Sequence, residues 1–244
     1  MAYLLELFNE RSDEVETYLD FLEVLEAQAQ HGAPKLIGAE HPISAQQQKI
    51  LYSSVYLHLY NLVESTMNSC IEAVAKAAAN TGEWKPGDLC DSLRKEWVRV
   101  VARTHVDLTP EHRLSCALDL CQKLVSALPV SEFSIEKGGG GNWDDEAIEA
   151  ISIRLGFQLT VSASVYSDVK RRIKDDLGPL ALVRQLRNQL AHGAISFTEC
   201  AEDVTVSQLI DLKNKTVNYL REIIQHFINY INAFEFLVPE RRPA

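Results

Sequence analysis

The sequence predicts an all-α fold, and three observations carry that prediction. Strand-favouring runs are few, and proline numbers only 8 in 244 residues. Long stretches are rich in Ala, Leu, Glu, Gln, Lys and Arg, which lose little side-chain freedom in a helix. With 46% hydrophobic and 24% charged residues, the chain is long enough to bury a substantial core.

The first predicted helix runs from about Tyr3 to Gln30, with Leu4, Phe8, Val15, Leu19, Leu22 and Leu25 at mostly helical spacing, and ends near Gly32 and Pro34. The second, from about Ser44 to Asn80, carries Ile50, Leu51, Val55, Leu59, Leu62, Val63, Met67 and Val74 and stops at Thr81 and Gly82. Two shorter helical patterns follow, Asp88 to Thr104 and Thr109 to Leu128. The second of these opens with Thr109, Pro110 and Glu111 as N-cap, first-turn proline and early acid.

Val130 to Ile135 fits an extended segment, and Lys137 to Asn142, reading KGGGGN, fits a flexible loop. Asp144, Asp145 and Glu146 then place acids in the first turn of a helix that reaches Leu155 and closes at Gly156. Gly178 and Pro179 begin a helix carrying Leu182, Val183, Leu186 and Leu190. The last helix, about Val206 to Leu237, is apolar on a broad face. The expected organisation is a single domain over 1–244, with core helices at about 1–80 and 178–238 and an inserted helical subregion at about 81–170.

A formal net charge of −10 argues against a surface that coats nucleic acid generally, because non-specific affinity comes from phosphate neutralisation. Any RNA contact must be local. Lys170, Arg171, Arg172 and Lys174, shortly before Arg184, form a basic cluster that reads either as an RNA-backbone track or as a solvated helix face. Five cysteines, with no CxxC pair, fit reduced thiols in the cytoplasm. Cys116 and Cys121 with His112 lack a second ligand pair, so they read as residues of an apolar helix face and no metal is expected. Lys137 to Gly141 lacks the GxxxxGK[ST] arrangement of a phosphate-binding loop, and no cofactor is expected. The N-terminus has no basic leader or cleavage site, and no apolar run approaches the roughly 20 residues that span a bilayer, so no membrane association is expected.

The chemistry concentrates in Arg187 to His192, RNQLAH, read as lying inside a helix. Successive helical residues rotate by about 100°. Leu182, Val183, Leu186, Leu190 and Ala194 therefore share one face, while Arg184, Asn188 and His192, at i, i+4 and i+8, lie opposite with Arg187 at the border. A lone histidine in such a place is commonly structural. Arg, Asn and His at this spacing, followed by Gly193, match the Rx4H signature of HEPN domains.

Tyr60 to Thr66 (YNLVEST), Gly141 to Asp144 (GNWD), Arg154 to Gly156 and the opening Phe8 to Arg11 (FNER) resemble the MAE_28990/MAE_18760-like branch of the HEPN superfamily. The resemblance covers most of the chain. The Rx4HxY toxin group fits less well, since Ala194 stands where its tyrosine would be. The resemblance implies a HEPN-like helical bundle and a metal-independent ribonuclease, acting as a prokaryotic defence effector or toxin. It also implies a homodimer in which two motifs face one cleft.

The residues suit that chemistry. RNA carries its own nucleophile, the 2′-hydroxyl, so cleavage needs a base for its proton and a cation for charge building on the phosphoryl oxygens. Imidazole is suited to proton transfer near neutrality, which makes His192 the general base or acid. Arg187 offers a planar, permanently charged fork for the phosphate. Asn188 either contacts phosphate, orients His192, or is merely solvated. Glu64 continues a stripe of Tyr52, Tyr56 and Tyr60 at four-residue spacing, and either orients His192, pairs with Arg187 in the site, or forms a structural ion pair. The rival to an enzyme is a non-catalytic helical module that binds RNA or protein. A third reading has an antitoxin or sensor protein holding the chain silent.

Overall fold

The computed structural model describes residues 2–36, 38, 42–79, 83–131, 133–137 and 142–243. Among these, nine α-helices form and no strand does: α1 Ala2–Ala29, α2 Ala45–Ala79, α3 Asp91–Val101, α4 Pro110–Val125, α5 Asp145–Leu155, α6 Ala163–Lys170, α7 Pro179–Ala191, α8 Phe197–Cys200 and α9 Val206–Asn232. The all-α expectation holds. The Gly-rich tract at 138–141 and the stop at 80–82 lie outside the described residues.

The chain divides into two compact units. The first comprises Met1–Thr66, Asn142–Asp145 and Val161–Glu222, and the second Met67–Gly141, Glu146–Thr160 and Ile223–Ala244. Helices α2 and α9 contribute to both.

In the first unit, apolar residues at helical spacing meet from four helices. Val15, Leu19, Leu22 and Leu25 of α1 join Tyr52, Val55, Tyr56, Leu59 and Tyr60 of α2, the leucines and Val183 of α7, and Val206, Leu209 and Leu212 of α9. Each buried leucine or valine contributes about 1.5–3 kcal/mol relative to exposure. Helix α2 starts with a capping box: Ser44 Oγ accepts from Gln47 N–H at 3.2 Å, and Gln47 Oε1 accepts from Ser44 N–H at 2.8 Å.

Helix α6, which periodicity did not reveal, packs close to the start of α7. A Cβ at Gly178 would stand 2.4 Å from the Val169 carbonyl oxygen, so only glycine admits this approach. The four-residue α8, also unforeseen, is closed by a capping box between Ser196 and Glu199.

The second unit buries Leu89, Leu93 and Trp97 with Ile148, Leu155 and Phe227. Phe157 meets Phe227 edge to face at 5.1 Å, and Tyr230 donates to the Leu155 carbonyl at 2.9 Å. Thr109 caps α4 by accepting from His112 N–H, as its residue type predicts. Yet α4 buries no residue, and Leu114 and Leu118 are each 62% exposed. Cys116 is half-buried and Cys121 is exposed on that same helix. Among the described residues of the segment 130–135 no strand forms, and Val130 N–H donates to the Trp84 carbonyl at 2.8 Å.

Three predicted helices overran their true ends. Helix α3 stops at Val101 rather than Thr104, α4 at Val125 rather than Leu128, and α9 at Asn232 rather than Leu237. Beyond each end sits a left-handed residue that is not glycine: Arg103, Ala127 and Phe234. After α9, Glu235 N–H donates to the Tyr230 carbonyl and Phe234 N–H to Ile231, the paired bonds of a Schellman stop.

Candidate active site

Helix α7 shows the two faces that its rotation requires. Leu182, Val183, Leu186 and Leu190 are buried, whereas Arg184, Arg187 and Asn188 are half-exposed. The motif is not wholly helical, however. The helix ends at Ala191 and His192 is its C-cap, with φ −95° and ψ 2°. Gly193 follows at φ +68°, its N–H donating to the Leu190 carbonyl at 3.2 Å, and Ala194 N–H donates to Gln189 at 2.8 Å. This stop turns the chain away, so Ala194 is exposed and does not continue the apolar face. His192 is also exposed, at the end of the helix.

Arg187 is held on three sides. Its guanidinium carbon lies 4.2 Å from the ring centroid of Tyr60, a cation–π contact. Nη1 donates to Asn188 Oδ1 at 2.8 Å. Nη2 stands 3.6 Å from Glu64 Oε2, an ion pair too long for a hydrogen bond. Burial pushes the Tyr60 phenol above its usual range, opposed by the Trp143 hydrogen bond and the Arg187 charge.

Asn188 bridges Arg187 to Asn142, with Nδ2 donating to Asn142 Oδ1 at 3.2 Å. Its backbone carbonyl accepts from His192 N–H at 3.0 Å. Trp143 N–H donates to Tyr60 Oη at 3.2 Å. Arg184 pairs at 2.5 Å with Asp144, whose side chain is only 7% exposed.

Asp144 is therefore not simply a first-turn acid. Helix α5 starts after it, and the carboxylate serves as the buried counter-charge of Arg184. Asp145 pairs with Lys170 at 2.6 Å.

The basic cluster is not a helix face. Lys170 ends α6; Arg171, Arg172 and Lys174 occupy the turn that follows, with Asp175 and Asp176 in left-handed conformations. Arg172 pairs with Asp176 at 3.0 Å, and Arg171, Arg172 and Lys174 are all exposed. Among the described residues, no group of three His, Cys, Asp or Glu side chains gathers as metal ligands would.

Asn142, Trp143 and Asp144 reach the site from a segment 46 residues before Asn188, and sequence reasoning gave them no functional role. Their signals were the GNWD string, given only as part of the family resemblance, and the place of Asp144 among first-turn acids. Tyr60 was visible as a member of the tyrosine stripe and of the YNLVEST string, without a role of its own; Tyr52 and Tyr56 of that stripe are buried in the core.

No helix among the described residues is long and apolar enough to cross a membrane. No curated protein and no solved structure matches the chain. The family model described as HEPN_MAE_28990:/-like HEPN matches residues 1–236. With nearly the whole helical chain covered, the protein belongs to this HEPN family, a membership that points to a nuclease or RNA-binding role.

Proposed function

We propose that the protein is a metal-independent RNA endonuclease whose reacting groups are Arg187 and His192. His192 takes the proton of a 2′-hydroxyl as its oxygen bonds to phosphorus, and the bond from phosphorus to the 5′-oxygen breaks. The products are a 2′,3′-cyclic phosphate and a 5′-hydroxyl. Arg187 neutralises the charge that builds on the phosphoryl oxygens. The observation that carries this reading is a half-exposed guanidinium, braced by Tyr60, Glu64 and Asn188, five residues before an exposed imidazole.

The departing 5′-oxygen needs a proton while His192 is engaged with the 2′-hydroxyl, which calls for a second proton donor. A homodimer supplies a second His192 to the same cleft. Arg171, Arg172 and Lys174 are exposed cations of the basic turn and candidates for phosphate contact. A role as a defence effector or toxin, with an antitoxin or sensor as partner, rests on family analogy.

A second reading is a non-catalytic RNA- or protein-binding module, since family membership points to a nuclease or an RNA-binding role alike.

Cleavage of RNA by purified protein in EDTA separates the two. The enzyme reading expects cyclic-phosphate ends, and a loss of about 10²-fold or more in both His192→Ala and Arg187→Ala. Cleavage that survives both substitutions, or vanishes with EDTA, overturns it.

A further inference from the structure

We propose that Asn142 is a positioning residue for Arg187, acting through Asn188. The consequence for cleavage rests on the ribonuclease reading; the positioning itself does not.

The direction of the hydrogen bonds follows from elementary chemistry. A guanidinium donates and never accepts, so Asn188 must turn Oδ1 toward Arg187. Its Nδ2 then faces the other way, free to donate to an acceptor placed there. Asn142 Oδ1 is that acceptor, at 3.2 Å. Without it the Asn188 amide loses the second bond that holds its orientation, and only Arg187 restrains it. The reversed amide would set N–H against N–H at Arg187.

The next residue secures the opposite side of the guanidinium. Trp143 N–H holds the hydroxyl of Tyr60, whose ring lies under Arg187. Two adjacent residues thus brace the amide beside Arg187 and the ring beneath it, and the contacts close into a circuit: Asn142, Asn188, Arg187, Tyr60, Trp143. Arginine is a long side chain with much rotamer freedom to lose. Holding it before substrate arrives spares that loss during the reaction. Asn142 is exposed, so its amide bond adds little to folding and its removal leaves the fold in place.

The test uses the full chain labelled with ¹⁵N-arginine, the Arg187 Nε–H signal being assigned by its absence in Arg187→Lys. In the unsubstituted protein the Tyr60 ring current shifts that signal from the ordinary arginine position. In Asn142→Ala it returns toward that position with the melting temperature unchanged. Asn142→Asp keeps the shift, because a carboxylate oxygen also accepts from Asn188.

In the cleavage assay Asn142→Ala lowers kcat by about tenfold with little change in KM, Asn142→Asp restores it, and Asn142→Ala adds nothing to Asn188→Ala. An unmoved Arg187 signal in Asn142→Ala, or losses that multiply in the double variant, overturns the proposal. If the signals move as expected and the unsubstituted protein cuts no RNA, the positioning stands and the ribonuclease reading falls.

Discussion

The guanidinium of Arg187 rests 4.2 Å from the ring centroid of Tyr60, so a residue of α2 supplies the platform for the motif arginine of α7. The ring is 2% exposed, and its hydroxyl accepts the Trp143 N–H. Ring and hydroxyl therefore do separable work. Tyr60→Phe keeps the platform and strands a buried N–H, costing about 1–2 kcal/mol in denaturant unfolding with cleavage largely kept. Tyr60→Leu removes both and lowers cleavage further. Equal loss of activity in the two variants would refute the platform role.

Arg184 and Asp144 form the most deeply placed charge pair of the first unit's candidate site. Arg184→Ala takes the counter-charge from a nearly buried carboxylate and is expected to destabilise by about 3 kcal/mol. Asp144→Asn placed on top of it removes the carboxylate's charge and regains part of that loss. Urea midpoints of the two single variants and the double variant decide the matter; strict additivity would show that the pair is not coupled.

Gly193 and Gly178 are constrained for different reasons. A Cβ at Gly193 meets nothing within 4 Å, so Gly193→Ala carries only the left-handed backbone cost of about 1–2 kcal/mol. A Cβ at Gly178 collides with the Val169 carbonyl. Thermal melts should therefore rank Gly178→Ala as the more damaging. Gly193→Asn should be milder than Gly193→Ala, since asparagine tolerates that region.

The cysteines should differ sharply in reactivity, because the thiolate is the nucleophile. Burial pushes the Cys70 thiol up to about 12 and raises that of Cys200 as well. Both stay protonated and shielded at pH 8. Cys121, exposed on α4, should be alkylated first and Cys116 after it. Mass mapping after brief maleimide treatment checks the order, and early labelling of Cys70 would contradict the burial described.

Helical periodicity specified the long elements, because a 3.6-residue repeat is a local property. Leu4 to Leu25 in α1 and Leu182 to Leu190 in α7 announced their buried faces. Glycine marked the end of α5 at Gly156, whereas the stop at Gly193 cut α7 short of the helix read through Ala194. The ends of α3, α4 and α9 were hidden because Arg103, Ala127 and Phe234, ordinary residues in sequence, adopt the left-handed conformation there.

The same division runs through the candidate site. Rotation along α7 placed Arg184, Asn188 and the leucines from sequence. The local stop at Gly193 made His192 an exposed cap, whereas packing gave Asp144 to Arg184 and brought Asn142 and Trp143 around Arg187. Those contacts join residues 46 and 83 positions apart. Local patterning cannot encode such pairs, because they depend on how buried faces stack once the helices have formed.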